Sequence, residues 1–130
     1  VQISSIIKLS KYLIKKYNIK YSNILGHSDI AFDRKKDPGE KFPWRKLAIK
    51  NLCEWHTLDE KMIKKFRSLK ITNFEEKIFL KNLYKIGYSK ISKNNKLYSV
   101  KAFQRKYRQS LINGKIDKEC YLISKNILKL

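Results

Sequence analysis

The sequence predicts a mixed α/β portion over residues 1–56, in the order helix, short strand, long loop and helix. An all-α three-helix bundle follows over residues 57–130. Three observations predict this. Apolar residues recur at helical spacing through residues 3–17 and again from residue 74 onward. A short apolar run, Asn23-Ile24-Leu25-Gly26, interrupts that period and reads as a strand ending in a tight turn. From His27 to Trp44 the composition shifts to charged and polar residues, with both prolines and one of the four glycines. Such a long irregular segment in a compact domain is more often functional than merely connective.

Each element has its own signal. Ile3, Ile6, Ile7, Leu13, Ile14 and Tyr17 share one face, with Lys8, Lys11, Lys15 and Lys16 mostly between them, which predicts an amphipathic helix lying on a larger body. Asn18 can close it. Asp37-Pro38-Gly39 reads as a turn, Pro presetting φ and Gly able to take a positive φ. Pro43 suits the first turn of a short helix through Trp44, Leu47, Ala48 and Leu52. Thr57 with Glu60, and Thr72 with Glu75, have capping-box spacing. Phe74, Ile78, Phe79, Leu83 and Ile86 then form one apolar face, and Gly87 is a terminator. Residues 89–96 are loop-like. Val100, Phe103 and Tyr107 mark the next helix, and Asp117 caps a last one carrying Cys120, Leu122, Ile123, Ile127 and Leu128. A boundary falls near residues 53–60, leaving a C-terminal part near the lower limit for an independent core.

The 130 residues carry 31 Lys+Arg against 11 Asp+Glu, a net charge of +20. A polyanionic partner is one explanation. Only five of the basic residues are Arg, however, the residue that reads bases bidentately. The charge is also spread over both portions, so the first reading is codon bias plus solvated helix faces. A basic helical nucleic-acid-binding module is the alternative, and it rests on charge alone; no nucleic acid is expected. Cys53 and Cys120 are far apart and lack partners at metal-binding spacing, so both read as small buried hydrophobes. The apolar runs are too short for a transmembrane helix. The opening Val1-Gln2-Ile3 suggests a chain cut from something longer.

The chemistry concentrates in Gly26-His27-Ser28-Asp29-Ile30-Ala31-Phe32-Asp33-Arg34-Lys35-Lys36-Asp37-Pro38-Gly39. His27 at a strand end and Asp37 at a turn can converge on one metal ion, both being good Zn²⁺ ligands. Lys35 lies two residues before Asp37, so in an extended segment its side chain leaves on the same side and can stabilise an oxyanion. On spacing alone, a surface loop with ordinary ion pairs explains these residues as well. The longer string, running on through Phe42, Pro43 and Trp44, resembles the zinc-dependent N-acetylmuramoyl-L-alanine amidases of the AmpD/AmiD type, the amidase-2 family. That resemblance implies His27 and Asp37 as zinc ligands and Lys35 as a catalytic residue stabilising the transition state. The reaction implied is hydrolysis of the amide between N-acetylmuramic acid and L-alanine of peptidoglycan. Phe32 stands where the family usually has Pro. The family also needs a third ligand, a His, and a general-base Glu, both from the half of the domain preceding the matched stretch. Residues 1–56 are thus expected to be the C-terminal portion of the catalytic domain, with the N-terminal half as the implied partner. His56 reads as a surface or interdomain histidine rather than a ligand.

Leu83-x-x-Ile86-Gly87-Tyr88, Val100-Lys101-Ala102-Phe103-Gln104 and Gly114-x-Ile116-Asp117 resemble the three-helix peptidoglycan-binding domain, more loosely, with Cys120 in place of the usual Thr. This implies a wall-binding module over residues 57–130, peptidoglycan or muropeptides as partner, and a periplasmic or cell-envelope setting rather than a cytoplasmic one. A wall-binding fragment without activity of its own is the remaining alternative.

Overall fold

The computed structural model describes residues 2–129, and among them every regular element is helical. In chain order these are α1 (Gln2–Tyr17), α2 (His27–Ile30), α3 (Trp44–Ile49), α4 (Glu60–Ile63), α5 (Asn73–Ile86), α6 (Lys96–Tyr107) and α7 (Lys118–Ile127), with single 3-10 turns at Tyr21–Asn23 and Lys64–Phe66. The mixed α/β class expected for residues 1–56 is therefore corrected. Ile24 and Gly26 do have extended backbone, with φ, ψ of −92°, 95° and −82°, 157°. A strand also needs a neighbouring backbone to pair with, and this segment finds side chains instead. The Ile24 carbonyl accepts from Lys106 Nζ at 3.3 Å, and the Gly26 amide donates to Asp29 Oδ2 at 2.8 Å.

Helix α1 closes as its sequence indicates. Asn18 takes φ 50°, and the Ile19 amide donates back to the Ile14 carbonyl at 3.1 Å, capping the last turn. Lys15 and Lys16 sit in that turn, where the helix dipole favours cations. Its Ile6, Ile7 and Ile14 rest on a small core of Trp44, Leu47, Leu52 and Cys53. No residue of α1 is fully buried, and Leu9, Tyr12 and Tyr17 are exposed.

The larger core fills the space between α5, α6 and α7, with Phe79, Leu83, Val100, Phe103, Cys120, Ile123 and Ile127 at its centre. The capping box at Thr72 and Glu75 forms reciprocally, at 3.1 and 3.0 Å. The one expected at Thr57 and Glu60 does not. Asp59 caps α4 instead, accepting from the Met62 amide, while Thr57 bonds Asn126 on α7. A carboxylate one residue before the helix outcompetes a hydroxyl three residues before it. Gly87 ends α5 at φ 119°, where a Cβ would also meet Leu25 Cδ1 at 2.8 Å. Gly39 does not use a positive φ, and Phe74 is exposed rather than on the packed face. Asp117 caps α7 and, with Glu119, binds Arg108 and Arg67 in a largely buried ionic cluster.

The two cores meet. Trp55 packs against both, and Phe32 from the long loop belongs to the larger one. The Gln109 side chain donates to the Phe42 carbonyl at 2.6 Å. Cys53 and Cys120 are free and buried, as expected.

Candidate active site

His27 is the first residue of α2, and its placement follows from what surrounds Gly26. The Asp29 carboxylate, two residues further into α2, reaches back to the Gly26 amide and holds the helix start. Gly26 itself is wedged. A Cβ there would lie 2.9 Å from Pro38 Cδ and 3.0 Å from Trp44 Cζ2, so only glycine lets the two loop arms close. The Ser28 amide donates to the Asp37 carbonyl at 2.8 Å, tying the first turn of α2 to the turn at residues 37–39.

These constraints bring two of the predicted site residues together. His27 Nδ1 and Asp37 Oδ2 are 3.0 Å apart, with side chains 54% and 61% exposed. The Asp37 carboxyl is held below the usual carboxylate range, chiefly by its own backbone amide and further by His27 and the Lys35 charge, against the opposing effect of burial. Lys35 is exposed, and its backbone amide donates to the Ala31 carbonyl at 2.8 Å. An imidazole nitrogen and a carboxylate oxygen thus meet on the open surface of the loop, near enough to Lys35 for its charge to act on Asp37. The first two are the donor types a divalent cation takes. Among the described residues no group of three His, Cys, Asp or Glu side chains is placed to hold a metal ion, so this pair supplies two donors.

Sequence reasoning did not reach the support beneath the pair. Lys106 of α6 is 2% exposed; its Nζ lies 3.0 Å from Asp29 Oδ2 and 4.4 Å from the centre of the Trp44 ring. The signal was present: Lys106 falls three residues after Phe103, on the apolar stripe of its helix. A lysine there demands a buried carboxylate partner. His56 is buried rather than on the surface. It stacks on Trp55 with ring centres 5.3 Å apart, its Nδ1 has no hydrogen-bond partner, and burial pulls its pKa below the usual histidine value.

Residues 1–40 match the family model described as Amidase_2, N-acetylmuramoyl-L-alanine amidase. Over 98% of its length the chain is 31% identical to the N-acetylmuramoyl-L-alanine amidase AmiD of Escherichia coli, covering 48% of that protein. Over 46 residues it is 42% identical to the 1,6-anhydro-N-acetylmuramyl-L-alanine amidase AmpD of Enterobacter cloacae, covering 25% of it. The solved complex of E. coli AmiD with the substrate anhydro-N-acetylmuramic acid-L-Ala-D-gamma-Glu-L-Lys superposes with a TM-score of 0.81, covering 98% of this chain and 51% of that one. The structure of AmpDH3 from Pseudomonas aeruginosa gives 0.78 at 26% identity, covering 98% of this chain and 52% of that one. The chain spans about half the length of AmiD, and its match to AmpD takes in a quarter of that protein. In sequence and in fold it is similar to one half of an N-acetylmuramoyl-L-alanine amidase.

Proposed function

We propose that this chain is part of a zinc-dependent enzyme that hydrolyses the amide between N-acetylmuramic acid and L-alanine of peptidoglycan. Residues 1–56 would be the C-terminal portion of the catalytic domain and residues 57–130 a peptidoglycan-binding module. The observation that carries the reading is the approach of His27 and Asp37 to 3.0 Å beside Lys35; His27 and Lys35–Asp37 lie within the stretch matching the amidase family model.

In this reading His27 and Asp37 hold the metal, and a third protein ligand and the general base come from the half of the catalytic domain preceding the matched stretch. Zn²⁺, when bound, supplies Lewis acidity and a water whose pKa is lowered to about 7. Lys35 supplies a fixed positive charge where the carbonyl oxygen of the scissile amide becomes negative. Asp29 and Lys106 keep the start of α2 in place, so that His27 is presented at one angle. The helical module holds the enzyme at an insoluble polymer and raises its local concentration there. The periplasm or cell envelope is the setting where that polymer is found.

The test is zinc content by elemental analysis together with release of stem peptide from purified muropeptides, on the full-length protein. One zinc per protein and peptide release, both lost in His27→Ala, support the reading. Hydrolysis that survives His27→Ala, or a protein that takes up no zinc, overturns it.

A further inference from the structure

A cavity of about 480 Å³ lies where the loop after Lys35 meets α6, lined by Phe32, Lys36, Glu40, Tyr98, Lys101 and Arg105 among others. Its loop wall is formed by Lys36 and Gly39, sequence neighbours of Asp37, together with Glu40. Three cations face this space, and among the described residues none of them forms an ion pair. Arg105 stands out among them, because three of the other four arginines are paired: Arg45 with Glu60, and Arg67 and Arg108 with Glu119. Arg105 carries a further mark. Its Nε is buried and has no hydrogen-bond partner, and a buried donor left unmade is costly. The single carboxylate on the lining, Glu40, is exposed and unpaired, which leaves an excess of two positive charges. Phe32 and Tyr98 supply apolar wall beside them.

Unpaired guanidinium and ammonium groups around a half-apolar hollow suit a carboxylate carried on a small organic body. The guanidinium takes a carboxylate through two parallel bonds, and the lysines add charge. We propose that this cavity is a subsite for a carboxylate of the stem peptide, with α6 of the helical module forming its cationic wall through Lys101 and Arg105. The inference rests on the muropeptide reading above and deepens it. The helical module would then contribute directly to substrate recognition, in addition to tethering the protein to the wall.

Equilibrium binding tests it without relying on turnover. The probes are N-acetyl-L-Ala-D-γ-Glu-L-Lys with free carboxylates and the same peptide with its carboxylates amidated, titrated calorimetrically into the full-length protein. The free acid is expected to bind about tenfold more tightly than the amide, the size of one charge-assisted bond. Arg105→Gln and, separately, Lys101→Gln bring the acid down toward the amide, whereas Lys85→Gln on the exposed end of α5 does not. Using two variants covers the case in which the half-buried arginine is needed for folding, which a melting curve reveals. Equal binding of acid and amide, or a preference that survives both substitutions, overturns the subsite. Peptide release without any carboxylate preference overturns the subsite and leaves the amidase reading. A carboxylate preference without peptide release does the reverse.

Discussion

Lys106 and Asp29, 77 residues apart, form an ion pair at 3.0 Å with side chains 2% and 1% exposed. The pair joins the helical part of the chain to the first turn of the helix that presents His27. Breaking it by Lys106→Met leaves a buried carboxylate without compensation. That is expected to cost about 3–5 kcal/mol, with Asp29→Asn in the same chain recovering part of the loss. Urea denaturation of the two single variants and the double variant reads the coupling directly.

Gly26→Ala is expected to be destabilising despite an ordinary φ of −82°, because the new methyl meets Pro38 and Trp44, both rigid, at 2.9 and 3.0 Å. Overpacking of this kind costs about 1–3 kcal/mol. The loop arms must part to relieve it, so the His27–Asp37 approach opens as well. A lowered denaturation midpoint together with weaker zinc uptake is the expected result.

Lys35→Gln separates chemistry from folding. The side chain is exposed, so the melting temperature should stay within about 2 °C. Loss of a positive charge aimed at a developing oxyanion is expected to lower kcat about 10²–10³-fold on muropeptides. A variant with undiminished kcat removes Lys35 from the mechanism.

His56 gives stability a pH dependence. Burial lowers its pKa, so the folded protein resists protonation that the unfolded chain accepts near pH 6.5. Glu60 and Glu119 partly offset this and Arg45 adds to it, all three within reach of the ring. The contribution is complete above pH 6.5 and is lost as pH falls from there through the lower folded value. His56→Gln should flatten that slope in denaturation series between pH 7.5 and 5.

The thiols should be silent in the native state. Burial pushes Cys53 up to about 11 and Cys120 up to about 12, so neither is thiolate near neutrality. Ellman's reagent at pH 8 is expected to react with neither until denaturant is added.

Local rules made much of this molecule legible. Thr72, Gly87 and Asp117 stop or start helices by groups within three or four residues of themselves, and each does so where spacing placed it. Phe103 lies in the core as its helical spacing suggests, whereas the spacing gave Gln104 no role and it accepts from the Asn113 and Gly114 amides. Two of the failures share a feature, which is that a partner distant in sequence takes the group concerned. Residues 23–26 have the composition of a strand, and a lysine 82 positions away from Ile24 takes the carbonyl a ladder would use. Thr57 has the spacing of a cap, and Asn126 captures it. The approach of His27 to Asp37 was readable because ten residues and a tight turn enclose it, whereas the pedestal of Asp29, Lys106 and Trp44 crosses the whole chain.

Trp55 lends one indole to two hydrophobic centres. Water reaching either side of that ring strips contacts from the other, so the smaller centre has no melting point of its own. Calorimetry should record one heat-absorption peak, and the seam between the two halves should resist proteases as well as their interiors do. Anyone transplanting the helical half onto a foreign partner must carry that ring and its neighbours along, or expect both pieces to soften.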